Sequence, residues 1–234
     1  MSKISWILAG SLWVFVFLYA FKGCIIKEKV SIPCPSDFKI FTQAYWPAFM
    51  ENECGPKKEK KCCVNDPNDK GGLTCYGVAI EYNHEFYKYL EAIGYDLKKT
   101  KALDVDSAPI EPYAKMKIYM NYFKKPKIAE LPSQLREVVF DNSVHAGPGR
   151  AIRILQKACG AHVDGHIGPE TITGCKGLSP DKYIQKRKEW LQTRPSWKKY
   201  PNGFMARLTR QHNQAEKSLK ILNKIQKNCG SKLR

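Results

Sequence analysis

Three polar residues in the first third of the chain, Glu53, Asp69 and Thr74, have the types and spacing that a hydrolytic site needs. Glu53 ends a segment with helical periodicity. Asp69 and Thr74 follow in a stretch rich in Asn, Asp, Pro and Gly, which favours tight turns. Hydrolysis of a glycosidic bond requires one acid that protonates the leaving oxygen and a second group that stabilises the oxocarbenium-like transition state or activates water. Carboxylates are common, so this spacing alone is a weak signal.

An amphipathic helix is predicted immediately before Glu53. Apolar residues recur at three- and four-residue spacing from Phe38 to Phe49. Asp37 is a candidate cap for this helix, and Pro47 is expected to bend it or limit its last turns. Most of the remaining chain also has helical periodicity, with few alternating strand patterns. The sequence therefore predicts a mainly α fold.

The composition is strongly basic, with a formal net charge of +17 that is spread along the chain. Such a field favours anionic partners: nucleic acid, acidic lipid, or the acidic glycan mesh of a cell envelope. A basic nucleic-acid binder is therefore one rival interpretation. No nucleic-acid recognition motif supports it, so we expect no nucleic-acid partner.

Residues 1–30 are predicted to form an uncleaved signal anchor and a linker. Lys3 precedes eighteen uncharged, mostly apolar residues, Ile4–Phe21, just long enough to span a bilayer. A cleaved signal peptide is the alternative. Lysines that follow the span disfavour export by the positive-inside rule, whereas the cysteines favour it. We expect a membrane-anchored protein that faces the periplasm or the cell exterior.

Cysteine usage favours disulfides over a metal site. The chain has nine cysteines, so at least one thiol is unpaired or paired between chains. Cys62 and Cys63 are adjacent, and neither C-x2-C nor paired-histidine spacing accompanies them, which disfavours zinc. Cys159 and Cys175 flank an Asp-Gly-His-Ile-Gly turn and either staple it or remain as buried thiols.

Read together, two runs around the polar triad resemble a known family. Phe49–Gly55 and then Val64–Val78 are similar to the motif E-G-G-x-V-N-D-P-x-D-x-G-G-x-T-x-x-G of glycoside hydrolase family 108. That family comprises N-acetylmuramidases, often phage endolysins. Downstream, Val139–Ala158 and Asp164–Thr171 resemble the start of the peptidoglycan-binding domain that accompanies it, and Gly203-Phe204 with Arg207 resembles its closing G-W-x-x-R.

The resemblance implies roles for single residues. Glu53 is the expected general acid, Asp69 the electrostatic stabiliser or base, and Thr74 the residue that positions water. Asp69 and Thr74 could equally brace the turn through side-chain to backbone bonds. Three neighbouring residues are the expected substrate-binding set: Asn65, Tyr76 and Gly77. Neither a metal nor an organic cofactor is implied.

The chain departs from the family pattern at several positions. Cys54 replaces the first glycine after the glutamate, and an insert of roughly Pro56–Cys63 separates Glu53 from the Val-Asn-Asp-Pro run. His145 stands where asparagine is usual, and Phe204 where tryptophan is usual. We predict that Cys54 bonds to Cys62 or Cys63 and pinches the insert into a side loop.

These observations predict three segments: an anchor and linker over 1–30, a lysozyme-like muramidase domain over 31–126, and a small helical peptidoglycan-binding domain over 127–234. The expected reaction is cleavage of the β-1,4 bond between N-acetylmuramic acid and N-acetylglucosamine in peptidoglycan by a monomer. The alternatives are a non-catalytic wall-binding protein, in which the insert has disabled the site, and a lytic transglycosylase.

Overall fold

A computed structural model describes residues 36–55, 62–65, 72–96 and 108–229. The predicted anchor over 1–30 and Asp69 lie outside these ranges. Within them, no helix has both the length and the apolar character needed to cross a membrane.

The segment before Glu53 forms two helices, where the sequence predicted one. Helix α1 spans Asp37–Ala44 and α2 spans Trp46–Cys54. Ser36, not Asp37, caps α1, since its hydroxyl accepts a hydrogen bond from the backbone N–H of Lys39 at 3.3 Å. Pro47 lies in the first turn of α2, where its missing N–H leaves no helical bond unmade, so it begins a helix and does not bend one.

A small antiparallel sheet follows α2. Its strands are β1 (Cys63–Asn65), β2 (Leu73–Cys75) and β3 (Val78–Ala79), paired in that order. Strands of two or three residues are too short to show an alternating pattern, which is why the sequence did not reveal them. Cys63 and Cys75 lie directly opposite each other and form a disulfide, which fixes the register of β1 against β2.

Helical elements make up the rest of the described chain. A 3₁₀ turn (Ile80–Tyr82) leads into α3 (His84–Ala92), and another (Ala108–Ile110) leads into α4 (Glu111–Ile118), which continues as a π-helix over Tyr119–Lys124. A 3₁₀ turn over Ile128–Glu130 comes next. The remaining helices are α5 (Ser133–Ala146), α6 (Pro148–Cys159), α7 (Pro169–Gly174), α8 (Pro180–Gln192), α9 (Pro195–Lys199) and α10 (Pro201–Cys229).

One hydrophobic core runs across residue 126, where the sequence predicted a domain boundary. Residues Cys34–Arg234 form a single compact unit. Phe41 of α1 contacts both Phe123 and Phe140, each with ring centroids 5.3 Å away. Helix α10 packs on both α5 and α1. The two predicted domains therefore share their apolar interior.

A buried acid, Glu137, lies where α5, α10 and α1 meet. The hydroxyl oxygen of Ser218 is 2.7 Å from the Ala44 carbonyl oxygen and 2.8 Å from Glu137 Oε2. One hydroxyl proton cannot serve both contacts, but both are satisfied when Ser218 donates to Ala44 and a protonated Glu137 donates to Ser218. Burial, helped by the charge of Asp141 and opposed by the Ser218 bond, raises the pKa of Glu137 to about 8.

Glu137→Gln is expected to stabilise the protein more at pH 8 than at pH 5. Between the ordinary pKa of 4.5 and the folded value of about 8, the native state keeps a proton that the unfolded state releases. Stability is therefore lost as the pH rises through this window, by up to about 1.4 kcal/mol per pH unit. Thermal melts at both pH values measure the effect, with the exposed Glu91→Gln as control. An equal difference at both pH values would contradict a raised pKa.

Candidate active site

Glu53 lies in the last turn of α2, and this turn docks on one face of α10. Arg207, Arg210, Gln211 and Gln214 recur on α10 at the spacing of a single helical face. The side-chain amide nitrogen of Gln214 donates to Glu51 Oε2 at 3.1 Å and to Asn52 Oδ1 at 3.2 Å, and Arg210 donates to Asn52 Oδ1 at 3.3 Å. Arg207 donates to Glu53 Oε1 at 2.8 Å. Three consecutive residues of α2 are thus held by the last helix of the chain.

Asp141 of α5 is the centre of this network. Its side chain is 4% exposed, and it accepts hydrogen bonds from side chains of three other helices. The donors are Arg187 Nη1 at 2.5 Å, Arg207 Nη2 at 2.8 Å, Gln211 Nε2 at 2.8 Å and Asn52 Nδ2 at 2.9 Å. Burial alone would raise the pKa of Asp141, but the Arg187 and Arg207 guanidiniums hold it well below its ordinary value. Asp141 is therefore ionised at every pH at which the protein is expected to work.

Arg207 connects this buried charge to Glu53. Its Nη2 donates both to Asp141 Oδ1 and to Glu53 Oε1, at 2.8 Å in each case. Burial would lower the pKa of Arg207, but the carboxylates of Asp141 and Glu53 raise it further, so the guanidinium stays charged. Since Asp141 also accepts from Arg207 Nε at 3.1 Å, the guanidinium is fixed in orientation and holds one oxygen of Glu53 in place.

The turn between β2 and β3 approaches Glu53 from the other side. Tyr76 and Gly77 form this turn, both with positive φ, 51° and 72°. A Cβ at position 77 would lie 3.9 Å from Glu53 Oε2 and 4.0 Å from the Phe49 ring. A Cβ at these distances would make ordinary contacts, so it is the left-handed backbone that favours glycine here. Tyr76 is buried, with its ring 6.2 Å from that of Trp46, so its side chain anchors the turn in the core.

The other predicted site residues are placed as follows. Thr74, in the middle of β2, is half-buried, and its hydroxyl donates to the Gly72 carbonyl at 3.3 Å. Leu73 and Cys75 are buried, so Thr74 points to the opposite face of the sheet. Asn65 ends β1 opposite Leu73. The structure brings Gly77 to Glu53, whereas Asp69 lies outside the described residues.

Disulfides lie at both ends of the insert, and the one at Cys54 confirms the prediction from the sequence. Cys54, the residue after Glu53, is bonded to Cys62, and Cys63 is bonded to Cys75. The end of α2 is therefore joined covalently to the start of β1. A third disulfide, Cys159–Cys175, joins the ends of α6 and α7.

Two positions that depart from the family pattern contact each other. His145 and Phe204 lie edge to face with ring centroids 5.7 Å apart, and Phe204 stacks on Trp197 at 5.8 Å. Burial, followed by the positive charges of Arg187 and Arg207, lowers the pKa of His145 to about 4. His145 is therefore a neutral ring at neutral pH and packs as one.

Among the residues that the structure describes, no three His, Cys, Asp or Glu side chains are grouped so that they could hold a metal ion.

Comparison with known proteins agrees with this geometry. Residues 49–147 match the sequence model of the glycosyl hydrolase 108 family. This protein is a glycoside hydrolase. The match includes Glu53, Asp69 and Thr74, and it also includes Asp141. No curated protein matches the chain.

The fold is similar beyond the matched stretch. The solved structure of Brucella abortus SagA aligns with 76% of this chain and 94% of that chain, at 24% sequence identity and a TM-score of 0.55. At this identity the likeness concerns the fold alone. Because 76% of the chain is aligned, the likeness extends past residue 147.

Sequence reasoning missed the partners of Glu53. It found Arg207 only as part of a wall-binding motif, and it did not single out Asp141 as a partner of this region. A usable signal was present in α10, whose buried stripe carries Gln211, Gln214 and Ser218 where a core helix normally carries apolar residues. Buried polar side chains on such a stripe require partners, and here the partners are carboxylates.

Asp141→Asn is expected to destabilise the protein by about 3–5 kcal/mol. It keeps the shape of the side chain but leaves the buried Arg187 charge without its counter-ion and Arg207 with Glu53 alone. Urea unfolding measures the loss. Asp181→Asn makes the same chemical change in an exposed pair with His212 and should cost less than about 1 kcal/mol. Equal losses would show that the Asp141 charge is not needed for folding.

Proposed function

We propose that this glycoside hydrolase is an N-acetylmuramidase that cleaves the β-1,4 bond between N-acetylmuramic acid and N-acetylglucosamine, with Glu53 as the general acid. The supporting observation is the asymmetric environment of the Glu53 carboxyl group. Arg207 holds Oε1, while Oε2 accepts no hydrogen bond from the described residues and lies beside Gly77. The side chain is 24% exposed, so one oxygen is fixed and the other is accessible to a substrate.

In this mechanism the Glu53 proton passes to the glycosidic oxygen as the bond to C1 of the muramic acid breaks. The positive charge that develops at C1 requires a negative or dipolar partner, and water then attacks C1 and loses a proton to a base. We assign stabilisation or base catalysis to Asp69 and positioning of the water to Thr74, on the family motif. If the 6-hydroxyl of the muramic acid attacks in place of water, the product is an anhydro sugar, as in a lytic transglycosylase.

Residues 127–234 have two roles in this proposal. They supply Arg207 and Asp141, which position Glu53, and they hold the anionic wall. The lysines and arginines of the outer helix faces give this part of the surface its positive charge, and the sequence in this region resembles a peptidoglycan-binding domain. Binding to the polymer would keep the enzyme on the surface of its substrate.

The disulfides support the proposal that the protein faces the periplasm or the cell exterior. Three disulfides within one compact unit are typical of proteins that fold in oxidising compartments. The proposed location on the outer side of a membrane, through residues 1–30, places the enzyme where peptidoglycan is found.

Glu53→Gln is expected to lower the rate of peptidoglycan cleavage by about 10²–10⁴-fold, since general acid catalysis contributes this much. The release of reducing ends from purified peptidoglycan measures the rate. Mass spectrometry of the wild-type digest identifies the chemistry: reducing muramic acid ends indicate a muramidase, and anhydro ends indicate a transglycosylase.

Glu51→Gln is the matched control, because it makes the same change one helical half-turn earlier. Among the described residues, Glu51 accepts a side-chain hydrogen bond from Gln214 alone, so its loss should change the rate by no more than a few-fold. Full activity of a folded Glu53→Gln protein would remove Glu53 from the mechanism.

Removing the Cys54–Cys62 disulfide is expected to reduce activity more than removing Cys159–Cys175. Either double serine variant loses one cross-link, which typically contributes about 2–4 kcal/mol of stability. Only the first loosens the residue next to Glu53 and the junction of α2 with β1. Activity is compared at a temperature at which circular dichroism shows both variants folded. Equal activities would show that this bond does not position Glu53.

A further inference from the structure

A cavity with a strongly basic wall lies at the junction of α5 and α6. It has a volume of about 470 Å³ and is bounded by the turn Ala146–Gly149, by α6 and by Trp190 of α8. Three cationic side chains of α6 line it: Arg150, Arg153 and Lys157. None of the residues that bind Asp141 or Glu53 takes part in it, so it is a separate site.

The spacing of the three cations places them on one face of α6. Positions 150, 153 and 157 follow the i, i+3, i+7 pattern, so their side chains emerge on the same side of the helix. The opposite face is anchored in the core by three buried residues: Ala151, Ile152 and Leu155. The basic face therefore cannot rotate away from the cavity.

Arg153 is held in place within the cavity wall. Its guanidinium donates to the carbonyl oxygens of Gly149 at 3.4 Å and Asp164 at 3.3 Å. It also lies over Gly165, where a Cβ would be only 2.9 Å from the guanidinium carbon. A side chain at 165 would displace this guanidinium, so the glycine turn shapes the basic wall.

Trp190 supports a second guanidinium. Arg150 lies over its ring at 5.3 Å from the centroid, and Arg194 approaches the same ring at 5.7 Å. Stacking on an aromatic ring fixes a guanidinium but leaves its N–H groups available to a ligand. The pair of arginines therefore presents oriented donors at the edge of the cavity.

These charges lack a counter-ion within the described part of the chain. Among the described residues, the ion pairs involve other side chains, and no carboxylate oxygen of these residues lies within 4 Å of a charged nitrogen of Arg150, Arg153 or Lys157. Like charges three and four residues apart repel each other on a helix. An anionic ligand would relieve this repulsion and accept the free donors.

The cavity is within reach of a group attached to the sugar at Glu53. Asp141 and Ala146 are five residues apart on α5, which corresponds to about 7.5 Å along the helix. Between them His145 lies against Phe204 of α10. An extended peptide covers about 3.3–3.6 Å per residue, so a peptide of about five residues spans about 17 Å. Glu53 and Asp141 share Arg207 Nη2, and such a peptide is about twice as long as the rise of α5 from Asp141 to the cavity.

We propose that this cavity, the α6 basic cleft (Arg150, Arg153, Lys157 and Trp190), binds the carboxylates of the stem peptide that the muramic acid next to the scissile bond carries. The inference rests on the proposed muramidase function, because only a sugar that is cleaved at Glu53 brings its stem peptide towards this cavity. The enzyme then selects glycan strands that bear peptides over bare strands.

The test compares two substrates. One is glycan strands with their stem peptides, and the other is the same strands after an amidase has removed the peptides. The full-length wild-type protein is expected to cleave peptide-bearing strands with at least a 10-fold higher kcat/KM. A third preparation, treated with hydrofluoric acid to remove phosphodiester polymers, separates carboxylates from phosphates as the recognised anion.

The variant is Arg150→Glu/Lys157→Glu. It should lower kcat/KM at least 10-fold on peptide-bearing strands and have a much smaller effect on bare strands. The control, Lys217→Glu/Lys224→Glu, reverses the same charges at the same spacing on the exposed face of α10, remote from the cavity, and should leave the preference intact. Circular dichroism melts confirm that both variants fold.

Three results would overturn the inference. They are equal cleavage of the two substrates by the wild type, an equal loss on both substrates in the variant, and a preference that vanishes with the phosphodiesters. If the wild type cleaves neither substrate, the proposed function fails. In that case calorimetric titration of the Glu53→Gln protein with purified stem peptide decides the inference alone: no binding overturns it, and binding that Arg150→Glu/Lys157→Glu abolishes supports it.

Discussion

The site depends on one interaction, the ion cluster of the Asp141 carboxylate with the Arg187 and Arg207 guanidiniums. A charge buried this deeply is tolerated only when paired and fully hydrogen-bonded. Since the donors come from α2, α8 and α10, the requirement to satisfy Asp141 brings these helices against α5. Arg207 also donates to Glu53, so one guanidinium joins the two acidic groups. Burial, helped by the positive charges of Arg187 and Arg207, lowers the pKa of His145 and keeps its ring neutral at neutral pH.

The chemistry of Glu53 is therefore built from elements far apart in the sequence. Glu53 and Arg207 are separated by more than 150 residues, and the turn at Gly77 is joined to α2 by the Cys54–Cys62 bond and the β1–β2 ladder. Helix α2 alone could not hold the carboxyl group, because Glu53 is in its last turn, where helices fray. Contacts from α10 on one side and from the β2–β3 turn on the other compensate for this.

Much of this arrangement could be predicted from the sequence. The helical class follows from periodicity, and the Cys54 bond from the need to close the insert, whereas the catalytic role of Glu53 stays a prediction from the family motif. The break between α1 and α2 at Tyr45 could not be predicted as easily, since the apolar stripe continues through it. The role of Arg207 was not predictable either, because a motif shows that residues belong together in sequence but not which distant carboxylate they contact. Asp69 stays a prediction.

The shared core and the Arg207 contact also bear on how the enzyme acquires its activity as it is made. A chain that has left the ribosome or a translocon as far as residue 200 already carries Glu53, the sheet and α5, but not the helix that holds the carboxyl group. Glu53 therefore gains its Arg207 contact only when the last helix has docked. Under the proposed mechanism, synthesis itself then delays the onset of activity.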